Sequence, residues 1–268
     1  MTHEEQLRYL TQELLAENTQ YQNMVISENT QEQKNLLRAL MNVRPPMPLK
    51  EEFLTVQDEY LSAERDMAGV VDGSALPPLR SDARLVLWQG DITTLKVDAI
   101  VNAANSGMRG CFRPLHSCID NIVHSKSGIQ LRLYCDELMN RQGYEEPTGQ
   151  AKITPAYNLP SRYVLHTVGP IIEGRVTRHD RELLASCYRS CLELAAENSL
   201  ESVAFCCIST GVFHFPNQEA AEIAVKTVTD FLKTQSSIKK VIFNVFKDTD
   251  KQLYRSLLGA DRKAERSD

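Results

Sequence analysis

The chain has 268 residues, 42% of them apolar, and a formal net charge of −5 at pH 7. That length accommodates one large domain, or one domain with an extension, and buries a core without disulfide staples. The acidic balance excludes a nucleic-acid binder held by a basic face, and no run of eighteen apolar residues suggests a membrane span.

The opening Met1-Thr2-His3-Glu4-Glu5 lacks the basic-then-apolar pattern of a secretory signal. Seven cysteines make an odd count. Together these features predict reduced thiols in a cytoplasmic protein, some of them available as metal ligands.

Residues 1 to about 75 read as helical, without a strand signal. Leu7, Leu10, Leu14 and Leu15 recur at helical spacing, and Leu36, Leu37, Leu40 and Met41 form a second apolar face. Pro45, Pro46 and Pro48 end that helix, because proline lacks an N–H and clashes with the preceding turn. A third helix is predicted from Leu54 to Met67, and Gly73, Pro77 and Pro78 mark a linker.

From Arg84 the pattern changes. Strands are predicted over 84–89, 98–102, 163–168, 202–209 and 240–246. Helices are predicted over 119–140, 180–198, 217–234 and 249–258, with Asn217 as an N-cap. Strands that are apolar throughout and alternate with helices imply a sheet covered on both faces. There is no internal repeat.

In an open α/β sheet, ligands bind beyond the strand ends. Three loops qualify: 90–93, 102–118 and 209–216. Glycines in the last two let backbone approach a ligand closely, and free N–H groups beside a helix N-terminus hold phosphate without basic side chains. Within the second loop, Cys111, His116 and Cys118 stand at C-x4-H-x-C spacing. Two thiolates and an imidazole form a zinc donor set with one tetrahedral position left open. The same spacing also fits two buried thiols and a surface histidine. His116 and Cys118 cannot share one face of a straight helix, so a metal requires this segment to be a loop.

Read singly, Asp91 fits a turn or cap, and Asn102 and Asn105 fit loop residues that satisfy backbone groups. Read together, the segments are more specific. Gly90-Asp91-Ile92-Thr93 is followed by Val97-Asp98-Ala99-Ile100-Val101-Asn102-Ala103-Ala104-Asn105. Further on come Gly149-Gln150-Ala151-Lys152-Ile153-Thr154, Tyr163-Val164-Leu165-His166-Thr167-Val168-Gly169-Pro170 and Ser209-Thr210-Gly211-Val212-Phe213. In this order they resemble the macrodomain family over about residues 84–258. Where many members carry a run of glycines, this chain has the Cys/His/Cys segment. That departure resembles the zinc-containing, sirtuin-linked microbial branch of protein-ADP-ribose hydrolases. The helical extension, with Leu37-Arg38-Ala39-Leu40-Met41-Asn42-Val43-Arg44-Pro45-Pro46, fits that branch too.

The resemblance implies an α/β fold with a macrodomain-type mixed sheet between helices in three layers, preceded by a helical extension. The implied boundaries are 1–78 for the extension, 79–260 for the macrodomain and 261–268 for a disordered tail. It implies that Asp91 accepts from the adenine amino group of ADP-ribose, with the Ile92 N–H beside it. Ser209, Thr210, Gly211, Val212 and Phe213 would wrap the diphosphate. Phe213 would also pack on the distal ribose, and Asn105 would hydrogen-bond it. Asp120, at the place of an aspartate found in hydrolytic macrodomains, would be the catalytic base together with Asn105; by position alone it reads as the N-cap of its helix. One Zn²⁺ per chain would sit on Cys111, His116 and Cys118. His124, His166 and the remaining cysteines read as structural or core residues.

The implied activity is removal of mono-ADP-ribose from proteins modified on acidic residues. In related bacterial systems the modified partner is a lipoyl-carrier protein. A non-catalytic ADP-ribose reader braced by zinc is the alternative. A phosphohydrolase fits less well, because no acidic cluster suits magnesium.

Overall fold

The computed structural model describes residues 1–21, 24–234 and 236–259. The tail predicted at 261–268 lies outside the described residues.

Helices α1 (His3–Ala16), α2 (Thr30–Val43) and α3 (Glu51–Ala68) form the N-terminal region. Thr2 and Glu5 make a reciprocal capping box at the start of α1, and Asn29 caps α2. The leucines predicted from spacing converge with Phe53, Val56 and Tyr60 in one cluster, which also takes in Ile129 of the main domain.

This region is not free of strand. Val71–Asp72 (β1) pairs in parallel with Leu95–Lys96 (β3). Two residues are too few to show a period, so β1 is a product of docking. Gly73 permits it, since a Cβ there would meet Val97 at 2.4 Å.

The main sheet contains β2 (Leu85–Gln89), β4 (Ala99–Ala104), β5 (Ala151–Pro155), β6 (Tyr163–Val168), β7 (Ser202–Phe205) and β8 (Lys240–Val245), in the order β2-β8-β7-β4-β6-β5. All neighbours are parallel except the edge strand β5, which runs antiparallel to β6. Side chains alternate between the two faces. Leu85, Val101, Leu165, Val203 and Val241 face one core, and Val86, Ile100, Val164, Ala204 and Ile242 face the other.

The first core is covered by α6 (Arg178–Glu197), α7 (Asn217–Phe231) and α8 (Asp248–Leu257). The second is covered by α4 (Ile119–Ser127) and α5 (Ile129–Gln142). The three-layer mixed α/β fold is therefore the one expected.

Several local expectations are corrected. The single helix predicted over 119–140 is two, broken at Gly128, whose φ is +99° and where a Cβ would meet Gln57 of α3 at 2.7 Å. The strand at 202–209 ends at Phe205. Asn217 does not cap α7; Pro216 occupies that position, and the Asn217 amide donates to Asp250 instead. Asp120 does not cap α4 either. That task falls to the Cys118 thiol, which accepts from the Asn121 N–H at 3.4 Å.

Candidate functional site

Because β2, β8, β7, β4 and β6 are parallel, their carboxyl ends open on one edge. β7 and β4 are the strands from which the chain departs in opposite directions, which is where a crevice forms. The three loops predicted to bind a ligand follow β2, β4 and β7. Neighbouring strands lie about 4.8 Å apart, so β2 and β4, three positions apart in the sheet order, are separated by roughly 14 Å.

At the β2 end, Asp91 caps a short 3-10 turn through Thr93, whose hydroxyl and N–H both donate to Oδ1. Its Oδ2 pairs with Lys126 Nζ at 2.7 Å. Burial pushes Asp91 up, but the Lys126 ammonium and Thr93 together hold the carboxyl below its ordinary value. Ile92 is buried in the core beneath.

At the β7 end, the 209–213 loop is bracketed by two non-glycine residues in left-handed backbone, Ser209 (φ 64°) and His214 (φ 58°). Bonds from Phe215 N to Ser209 O and from His214 N to Gly211 O fix the turn, and Ile172 N holds Phe213 O. Ser209 Oγ is buried without a partner. Gly169 lets it lie there, for a Cβ at 169 would stand 2.0 Å from that oxygen. Among the described residues, no acceptor meets the N–H of Gly211, Val212 or Phe213. Val212 is exposed and Phe213 is half-buried.

At the β4 end, a chain of hydrogen bonds runs inward from Asp120, which is 4% exposed. Asn105 Nδ2 donates to Oδ2 at 3.1 Å, and Asn102 Nδ2 donates to Oδ1 at 2.9 Å. The Asn102 amide also faces His166 Nδ1 at 3.1 Å, and His166 Nε2 faces Thr154 Oγ1 at 2.9 Å. Burial drives the His166 pKa down to about 3, so the ring is neutral. Nδ1 then accepts from Asn102, and Nε2–H donates to Thr154. Burial also raises Asp120 to about 6, against the pull of Asn102, Arg132 and Asn105. His124 Nε2 lies 3.6 Å from Asp120 Oδ1, beyond a hydrogen bond, and burial keeps its ring neutral.

Cys111, His116 and Cys118 are all half-buried on the loop between β4 and α4, as a shared metal would require. One donor atom from each lies within 4.8 Å of the others, and Cys111 Sγ is 3.6 Å from His116 Nδ1. Tetrahedral zinc, bonded at 2.0–2.3 Å, brings its donors to roughly 3.3–3.8 Å from one another. The donor set fits zinc, and the Cys111–His116 separation lies within that range.

Pairings that the sequence did not reveal complete the region. Asn102 and His166 link the carboxylate to the sheet core, and Lys126 meets Asp91. Arg38 and Asn42 reach the metal loop from α2: Arg38 Nη2 donates to His116 O, and Asn42 Oδ1 accepts from Leu115 N. Only the β4–β6 register, which sets Asn102 opposite His166, could have signalled the first pair.

A three-layer α/β domain with amide-lined loops at one sheet edge is a ligand-binding scaffold. The Macro domain family model matches residues 101–224. A protein-ADP-ribose hydrolase of Treponema medium is 55% identical over 260 residues, covering 96% of this chain and 100% of that protein. The protein-ADP-ribose hydrolase of Staphylococcus aureus strain MSSA476 is 50% identical over 256 residues, 95% of this chain and 96% of that protein. The crystal structure of a Trypanosoma brucei macrodomain in complex with ADP-ribose superposes with a TM-score of 0.65 at 30% identity, covering 82% and 95% of the two chains. The chain belongs to the macrodomain family.

Proposed function

We propose that this chain is a hydrolase that removes single ADP-ribose units from protein side chains, acidic ones included, with zinc on Cys111, His116 and Cys118. The observation that carries the reading is the order of groups along the sheet edge. A carboxylate capable of accepting from a base stands at β2, unsatisfied amides at β7, and a buried, amide-clamped carboxylate at β4 beside a zinc donor set. Base, diphosphate and ribose follow one another in the same order in ADP-ribose. The relatives named as protein-ADP-ribose hydrolases support the activity.

In this reading Asp91 accepts from the adenine amino group, beside the Ile92 N–H. The free N–H groups of the 209–213 loop hold the diphosphate, as oriented amides do. Phe213 packs on the distal ribose and Asn105 hydrogen-bonds a ribose hydroxyl. Cys111, His116 and Cys118 would hold the zinc, which when bound would supply Lewis acidity. Asp120 takes a proton from the attacking water. The oxygen of that water bonds to ribose C1'', the bond from C1'' to the protein carboxylate breaks, and ADP-ribose and the free carboxylate leave. Asn102 and Asn105 keep the two oxygens of Asp120 aimed throughout.

The test is zinc content and ADP-ribose release, measured together on wild type and on Cys111→Ala/Cys118→Ala. Substrates are a protein auto-modified on acidic side chains and a mono-ADP-ribosylated lipoyl-carrier protein. One zinc per chain, with release lost and ADP-ribose binding retained in the variant, is the expected result. A wild type that binds zinc and ADP-ribose but releases nothing from either substrate is a reader. A wild type without zinc removes the metal from the reading and leaves the chemistry to Asp120.

A further inference from the structure

α2 lies in the N-terminal extension, yet two of its side chains are spent on the loop that carries the zinc donors. Arg38 Nη2 donates to His116 O and to Asn121 Oδ1, both at 2.8 Å. Asn42, 1% exposed, accepts from Leu115 N at 3.0 Å. Leu115 is held at φ 54°, a left-handed conformation that leucine rarely adopts, immediately before His116. From the other side, Asn121 of α4 donates to Cys111 O and Arg113 O. The second face of Asn42 donates to Ser125 Oγ, which in turn donates to Asn121 O. The loop is thus strung between two helices, one from each region of the chain.

The end of α2 is itself anchored to the main domain. Arg132 of α5 donates to the carbonyls of Met41, Asn42 and Arg44, and Phe112 of the loop covers its guanidinium at 4.2 Å. Packing alone does not account for Arg38. Its Nε–H is buried without a partner, a cost that a methionine or leucine at this place would avoid.

We infer that Arg38 and Asn42 are positioning residues for the metal, so that the N-terminal helices form part of the zinc site. The inference rests on the zinc reading above. Arg38 fixes the carbonyl of the ligand His116, and Asn42 fixes the strained residue before it. Together they place the imidazole near Cys111 before any metal arrives. Groups that orient ligands in this way are worth roughly 10–100-fold in metal affinity. The coupling is reciprocal: zinc on the loop tightens the docking of α2.

Zinc affinity is measured by competition with a chromophoric chelator on wild type, Arg38→Met, Arg38→Lys and Asn42→Ala, with ADP-ribose binding followed in parallel. Arg38→Met and Asn42→Ala are expected to bind zinc roughly 10–100-fold more weakly, with ADP-ribose affinity within twofold of wild type. Arg38→Lys, which keeps the charge but not the planar fork, recovers part of the loss. Variants that hold zinc as tightly as wild type overturn the inference and leave the zinc reading intact. A wild type that holds no zinc overturns both. In the wild-type chain, adding zinc slows amide exchange in α2 as well as in residues 111–118; zinc-independent exchange in α2 removes the coupling.

Discussion

Asn105 and Asp120 are joined side chain to side chain at 3.1 Å, and the other face of the Asn105 amide is fixed because its Oδ1 accepts from Gly107 N at 3.0 Å. The asparagine is therefore locked by its own loop before it meets the carboxylate. That locking separates binding from chemistry. Asp120→Ala is expected to lower kcat for ADP-ribose release by roughly 10²–10⁴-fold, the range of a lost general base. Calorimetry should show ADP-ribose affinity nearly unchanged, and a loss of affinity with kcat unchanged would place Asp120 in binding alone.

Asp91→Ala tests the opposite end of the edge. A hydrogen bond to a charged group contributes about 1.5–3 kcal/mol, so ADP-ribose should bind roughly 10–150-fold more weakly. The chemical step is distant, so kcat at saturating substrate should hold. A loss confined to kcat would contradict the assignment of this carboxylate to the base.

Gly110 adopts φ +81°, and a Cβ there would lie 2.7 Å from the His124 ring. Gly110→Ala therefore combines a strained backbone with overpacking against a buried side chain, together about 2–4 kcal/mol. A fall in Tm of roughly 5–10 °C is expected in a calorimetric scan. An unchanged Tm would mean that the loop before the zinc donors shifts freely.

Glu64 of α3 accepts from Lys34 at 2.7 Å and meets His3 at 2.6 Å. Burial raises its carboxyl, but the hydrogen bonds and charges of Lys34 and His3 prevail and hold it below its ordinary value. A carboxyl lowered on folding stabilises above its unfolded pKa of about 4.3, and that contribution disappears as pH falls through the folded value. Glu64→Gln should therefore melt below wild type at pH 7, by an amount under about 1 kcal/mol, and the two curves should converge in acid. A gap that persists in acid would assign Glu64 a role other than its charge.

The strands β4, β6, β7 and β8 were legible because a strand buried on both faces needs apolar residues at nearly every position. The edge strand β5 was not assigned as a strand. It has one neighbour and reads Ala-Lys-Ile-Thr-Pro, too mixed to show burial on both faces. The break at Gly128 was hidden because it answers to Gln57, seventy-one positions earlier in the chain. The Cys118 cap was hidden because thiols seldom take that place, while Asp120 offered a better side chain for it.

The sequence by itself determined the layered α/β class, the three loops at the strand ends and the loop character of Cys111–Cys118. These depend on periodicity, on glycine and on donor chemistry, all of which are local. Tertiary structure alone decided which groups meet: Asn102 with His166 through strand register, Lys126 with Asp91, and Arg38 and Asn42 with the metal loop. Those partners are separated by up to 78 residues in the chain. Hydrogen bonds between such distant side chains follow from how sheets and helices dock, and no local pattern encodes that docking.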